Sequence, residues 1–180
     1  TLEAVILPSE LTTIGSSAFY GCTNLSYVGF NDKLTVIGSS AFYGCSSLEE
    51  LDLPNALQEI KNHAFYQCSL LDTLSMPMTL VGINGYAFAG CIALEEVVLP
   101  RELKEIGADA FYGCELLRGI YVEDGSADYW SDENGVLYDY KFEEVDLYTG
   151  EWVHVALVKD SAAEALHCYV NGELKQTIQA

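Results

Sequence analysis

The sequence predicts a mostly β protein: a right-handed solenoid of about six 23-residue coils with a C-terminal β-hairpin appendage. Three observations predict it. Five of the six cysteines, Cys22, Cys45, Cys68, Cys91 and Cys114, follow one another at a step of 23 residues. Ala-Phe recurs with the same step at 18–19, 41–42, 64–65, 87–88 and 110–111. Six short apolar frames of the type L-x-x-V-x-L begin at Leu2, Leu25, Leu48, Leu71, Leu94 and Leu117. A fixed period of about 20–50 residues marks a solenoid or array, because no single unit buries its apolar face alone.

Each frame reads as a strand. Leu51 and Leu53, or Val97 and Leu99, stand two residues apart and so share one face of the pleat. All four prolines, Pro8, Pro54, Pro77 and Pro100, immediately follow a frame. Proline lacks an amide donor, so it ends the ladder and bends the chain out of the strand. Two more columns, Leu11, Leu34, Leu57, Leu80, Leu103 and Ile14, Ile37, Ile60, Ile83, Ile106, add to the core. The A-F-x-G-C segment makes a tight apolar turn before the next strand. Coils at the spacing of neighbouring strands, about 4.8 Å, stack into a slab.

The period stops after Tyr140, which divides the chain into a solenoid at 1–140 and a segment at 141–180. In the latter, Gly150 to Val158 alternates as a strand, and Leu166 to Leu174 follows with Asn171-Gly172 as a tight-turn signal. The segment is expected to hold two or three strands, and a hairpin of this kind is marginal alone, so its apolar face needs a cover: the open end of the solenoid, or the same segment of another molecule in a homodimer.

The chain has 180 residues, 8 basic and 27 acidic side chains and a net charge of -19, and half of it is hydrophobic. A core can form, which excludes general disorder. The charge excludes a nucleic-acid partner, since phosphate binding needs clustered Lys and Arg. No apolar run approaches the roughly 20 residues of a membrane-spanning helix, and none has the pattern of a signal peptide. Residues 1–140 hold 20 of the acids, spread out as on a solvated face. The chain starts inside a repeat, which reads as a segment of a longer protein.

The pattern C-x-x-L-x-x-V-x-L-P-x-x-L-x-x-I-G-x-x-A-F-x-G resembles the bacterial BspA-type, or Treponema-type, leucine-rich repeat over about residues 1–140. The run Tyr129 to Tyr138 is similar to the segment that closes such arrays. The resemblance implies a leucine-rich-repeat solenoid on an extracellular or cell-surface adhesion protein, without catalytic residues or cofactors. In the tail, W-x-H-V-A-x-V and Y-V-N-G are similar to laminin-G-like, concanavalin-A-like domains. That implies glycan or protein binding, sometimes with calcium, although no calcium-ligand loop is carried over.

The candidate chemistry is sparse. Zinc needs closely spaced thiolates, and the cysteines never come nearer than 23 residues, so they are expected buried, reduced and in one column. His63, His154 and His167 lack a nucleophile in a strained turn. Glu49-Glu50 and Glu95-Glu96 diverge, because adjacent strand residues point to opposite faces, which rules out paired-acid catalysis. Two candidate surfaces remain. Tyr20, Tyr43, Tyr66 and Tyr112 occupy one repeat position, with Ala89 as a gap; they pack each turn against its neighbour with hydroxyls reaching water, or form an aromatic strip for protein or sugar. The open strand face carries Tyr27, Glu50, Asp52, Glu96, Val98 and Tyr121, where repeat proteins commonly bind. The expected function is a non-enzymatic adhesion module that binds a protein or host-matrix ligand there. Carbohydrate binding and a pure spacer are the alternatives.

Overall fold

A computed structural model describes residues 2–123 and, beyond them, the backbone of seven strands between Tyr129 and Gln179. Among the described residues every regular element is a strand and none is a helix.

Six strands form one column down the solenoid: β1 (Ala4–Ile6), β3 (Tyr27–Gly29), β5 (Glu50–Asp52), β7 (Thr73–Ser75), β9 (Glu96–Leu99) and β11 (Gly119–Val122). They are the apolar frames of the sequence. Between them lie two-residue strands ending on the isoleucine column: β2 (Thr13–Ile14), β4 (Val36–Ile37), β6 (Glu59–Ile60), β8 (Gly82–Ile83) and β10 (Glu105–Ile106). All ladders among these eleven are parallel. The result is a parallel β-solenoid of about five turns.

The core is the repeat pattern seen end on. Phe42, Phe65 and Phe88 are fully buried, as are Leu34, Leu57, Leu80, Ile37, Ile60 and Ile83. The five phenylalanines stack in file, with ring centroids 5.0 Å, 5.2 Å, 5.2 Å and 5.5 Å apart. That repeat is close to the strand spacing expected from the sequence. The prolines turn the chain as expected: the carbonyls of Pro8, Pro54, Pro77 and Pro100 each accept the amide three residues on. The second coil has Asn31 there instead. Its carbonyl accepts from Leu34, and its side-chain amide donates to Pro8 and Leu11 one coil back.

Three walls connect successive coils, and they differ. On the turn wall, the amides of Phe19, Phe42, Phe65 and Phe88 donate to the alanine carbonyl of the next coil at 2.7 Å to 2.8 Å. Two residues on, Gly21, Gly44, Gln67 and Gly90 repeat the bond. Amides can reach across here because Ser17, Ser40, His63, Tyr86 and Asp109 adopt left-handed φ of 55° to 58°. Gln67 holds φ 58° where the other coils use glycine. The second wall, β2-β4-β6-β8-β10, is one unbroken sheet. The first column is instead three separate pairs, β1-β3, β5-β7 and β9-β11. Among the described residues no ladder joins β3 to β5 or β7 to β9.

Pairing becomes antiparallel after β11. Strand β12 (Tyr129–Ser131) pairs with β13 (Leu137–Asp139), in the run expected to close the array, and both neighbour β11. The tail departs from the expected two or three strands. Among the described residues it has five: β14 (Leu147–Thr149) with β15 (Glu151–Val153), then a sheet of β16 (Val155–Asp160), β17 (Ala165–Val170) and β18 (Glu173–Gln179). The alternation from Gly150 to Val158 runs on without a phase change, so periodicity gave no sign of the division between β15 and β16. Val170 pairs with Glu173 on either side of the expected Asn-Gly turn. The turn itself, His154, the boundary at Tyr140 and residues 141–146 lie outside the described residues. So does any side-chain contact through which the tail would form a homodimer.

Candidate functional site

The strand face is built by the pleat. In β5 the side chain of Leu51 is buried, while Glu50 and Asp52 on either side are exposed. The same alternation exposes Tyr27, Thr73, Ser75, Glu96 and Val98, with Tyr27 58% and Val98 51% accessible. It fails at the last coil. Tyr121 is half-buried and Gly119 buried in β11, so Tyr121 belongs to this surface only in part. The neighbouring strands β12 and β13 lie against this coil.

These positions do not form one uniform strip. A groove of about 810 Å³ lies across β3, β5 and β7. Tyr27, Glu50 and Asp52 line it, together with Asp32, Glu49, Asp72 and the apolar Phe30, Met76 and Met78. Five carboxylates and no basic side chain border it. Glu96, Val98 and Tyr121 lie beyond it, on the β9-β11 pair. Glu95 meets Arg118 at 3.3 Å. Glu49 and Glu50 both border the groove, so the expectation that these adjacent acids point to opposite faces does not hold there, because Glu49 precedes β5 and lies outside its pleat.

The tyrosine column is a stack. Rings of Tyr20 and Tyr43 lie 4.6 Å apart at 15°, and those of Tyr43 and Tyr66 lie 4.8 Å apart at 18°. Tyr43 therefore has a neighbour on each face and turns its edge and hydroxyl outward. Its pKa is raised by burial first, then by the hydroxyls of Tyr20 and Tyr66. The expected gap at Ala89 is not open, because Ala89 is fully buried. Tyr86, three residues earlier, stacks on His63 at 5.1 Å. A hydrogen bond to the Asp109 carboxylate, followed by that carboxylate's charge, raises the Tyr86 pKa, and Tyr66 and Tyr112 are near enough to add to it. Tyr86 thus connects to the file through His63, whose ring lies 5.6 Å from that of Tyr66. The sequence reading missed this because Tyr86 stands in a column otherwise made of Ser, His and Asp. A groove of about 670 Å³ runs beside the file, floored by Gly21, Gly44, Gly90 and Gly113.

The cysteine column is part of the core. Cys45, Cys68, Cys91 and Cys114 are buried, and their thiols donate to the phenylalanine carbonyl of the preceding coil at 3.2 Å to 3.4 Å. Burial pushes the Cys45 and Cys114 thiols up to about 12, and those of Cys68 and Cys91 upward as well. Cys22 corrects the expectation of five buried thiols. It is only half-buried, whereas the other four are buried. Among the described residues no group of three His, Cys, Asp or Glu side chains is placed to hold a metal.

Comparison with known proteins agrees with this architecture. The family model for the BspA type leucine rich repeat region matches six copies over residues 1–118. The laminin-G-like resemblance of the tail finds no support there. No curated protein matches the chain. Among solved structures, the leucine rich repeat protein of Treponema pallidum is 38% identical with a TM-score of 0.65, over 67% of this chain and 58% of that one. A leucine-rich repeat protein from Bacteroides ovatus is 30% identical with a TM-score of 0.61, over 65% of this chain and 33% of that one. The pneumococcal vaccine antigen PcpA is 28% identical with a TM-score of 0.74, over 82% of this chain and 36% of that one. This chain thus spans little more than half of the first relative and about a third of the other two. Leucine-rich repeat proteins are in general protein-interaction or surface modules, and typically non-enzymatic scaffolds. With six matched copies spanning two thirds of its length, the chain belongs to the BspA-type leucine-rich repeat family.

Proposed function

We propose that the chain is part of an extracellular or cell-surface adhesion protein and binds a protein or matrix ligand through its strand face. The observation that carries the reading is the acidic groove across β3, β5 and β7, where exposed residues vary from coil to coil over a constant core. Its border of Asp32, Glu49, Glu50, Asp52 and Asp72 suits a basic partner, while Tyr27, Phe30 and Met78 supply apolar contact. Long-range attraction of this sort raises the association rate and weakens with salt. Glu96, Val98 and Tyr121 would extend the footprint for a large ligand. The surface location rests on the pneumococcal antigen among the relatives.

The test is binding of the chain to purified matrix proteins chosen in basic and acidic sets, with a glycan array alongside. Basic proteins should bind with an on-rate that falls as salt rises, and Glu50→Lys with Asp52→Lys should remove that binding. Unchanged affinity in the double variant sinks the strand-face reading. Binding confined to the glycan array favours the carbohydrate class, and silence in every arm favours a spacer.

A further inference from the structure

The tyrosine file on the turn wall has a geometry that the adhesion reading does not use. Tyr20, Tyr43 and Tyr66 lie nearly parallel, with ring centroids 4.6 Å and 4.8 Å apart. Tyr20 is 56% accessible and the other two are half-buried, so all three can be reached from solvent. Their backbones cannot drift apart, because Gly21 and Gly44 donate to the carbonyls of Tyr43 and Tyr66 at 2.7 Å and 2.8 Å. Stacked aromatic pairs usually sit offset and are held by packing alone. Here the coil repeat sets the spacing and keeps the phenols in register.

We propose that Tyr43 is the centre of an oxidative cross-linking site, at which a one-electron oxidant joins it to Tyr20 or Tyr66 as dityrosine. A peroxidase acting with hydrogen peroxide, or a photo-oxidant of the same class, removes one electron and one proton from each of two phenols. Each phenoxyl radical carries spin on the ring carbons ortho to oxygen. The p-lobes there point perpendicular to the ring, which in this stack is toward the neighbouring tyrosine. One carbon–carbon bond forms between the two ortho positions. Each ring then transfers its ortho hydrogen to its own oxygen and becomes aromatic again. The balance is two electrons and two protons lost from the protein for each link, and the oxidant is reduced by two electrons. Exposed ring tips leave room for the joined pair to twist as it rearomatises. The product ties neighbouring coils together on a wall otherwise held by hydrogen bonds and packing.

The chain has 12 tyrosines, so coupling governed by exposure alone would scatter among them and between molecules. The stack predicts a narrower outcome. The intact chain, kept dilute, is treated with a peroxidase and hydrogen peroxide, and dityrosine fluorescence, the denaturing-gel band and the linked peptides are read. A monomer band lighter by two hydrogen atoms is expected, with links joining Tyr20 to Tyr43 or Tyr43 to Tyr66. Tyr20→Phe should keep the second link and Tyr66→Phe the first, while Tyr43→Phe should lose both, since its outer neighbours are two coils apart. Phenylalanine keeps the stack, and an unchanged melting temperature confirms that the coils remain formed. A Tyr20–Tyr66 link within the Tyr43→Phe monomer, coupling only between molecules, or no link to Tyr43 in the natural chain would each overturn the proposal.

Discussion

The turn wall and the strand face of the same coils follow opposite rules. On the turn wall every junction repeats the same backbone bonds and the same stacked phenylalanines, so Ala and Phe recur at their two positions in every coil. On the strand face the ladder is broken twice, and Tyr27, Glu50, Thr73 and Glu96 succeed one another at one position. A solenoid needs contact only between nearest neighbours, so two continuous walls suffice to hold the stack. The third is released to vary. The comparison teaches that stability and recognition are separated by wall rather than by coil, and each prediction below tests that division.

The largest effect belongs to the phenylalanine file. Phe65 is fully buried and stacked on Phe42 and Phe88 at 5.2 Å, with interplanar angles of 2° and 7°. Phe65→Ala should cost about 3–5 kcal/mol, the usual loss for truncating a buried aromatic. Urea unfolding of both proteins measures it. A loss below about 1 kcal/mol would mean that the file fills space without holding the coils.

The thiol column predicts an alkaline limit. Cys45, Cys68, Cys91 and Cys114 have pKa values raised by burial, so the folded state keeps its protons while the unfolded chain gives them up. The stability they contribute is whole below the ordinary thiol value and is lost as pH rises from there toward about 12. Each thiol weakens the fold by at most about 1.4 kcal/mol per pH unit in that window. Melting temperature followed from neutral to alkaline pH should fall from near the thiol range upward, and Cys68→Ser should not fall more steeply. Cys22 gives the matching control, since its half-buried side chain should react with iodoacetamide before the other four. Uniform labelling of all five would remove the buried column.

How far the sequence led can be judged from particular positions. The Cys, Phe and Ile columns named the core outright, because a period of 23 puts equivalent side chains in contact whatever the path between them. Cys22 and Tyr121 were misjudged for one reason. Both belong to the outermost described coils, where a residue has a described neighbouring coil on one side only, and periodicity describes the interior of an array. Tyr86 was passed over because it departs from its own column, and nothing in the period announces that it stacks on His63. The broken ladder at β3-β5 left no trace in the sequence: β3 and β5 present the same frame as the strands that do pair.

Gln67 tests the turn wall at smaller scale. It holds φ 58°, in the left-handed region, at the position where Gly21, Gly44, Gly90 and Gly113 stand in the other coils. A residue with a Cβ is strained there, whereas glycine is not. Glycine costs some entropy in the unfolded chain, which offsets part of the relief. Gln67→Gly should therefore stabilise by about 0.5–1 kcal/mol, and its amide keeps the bond to the Ala89 carbonyl. A destabilised variant would show that the Gln67 side chain, which packs over Gly90, contributes more than its backbone costs.

The smallest expected effect is the sharpest test of the division between walls. Glu50 and Asp52 are exposed on the strand face, with Glu49 and Asp72 bordering the same groove. Neither has an ion pair among the described residues, so replacing them breaks no bond in the scaffold. Glu50→Lys with Asp52→Lys removes repulsion among five carboxylates and adds weak attraction to the three that remain, Asp32, Glu49 and Asp72. Exposed charges of this sort change stability by less than about 0.5 kcal/mol, and salt screens what there is. Urea unfolding at low and high salt should therefore give nearly the same stability as the natural chain, with any difference favouring the variant and shrinking as salt rises. The same protein is the one expected to lose its basic ligand. A cost above about 1 kcal/mol at both salt concentrations would place Glu50 and Asp52 in the scaffold, and the strand face would no longer be free to vary.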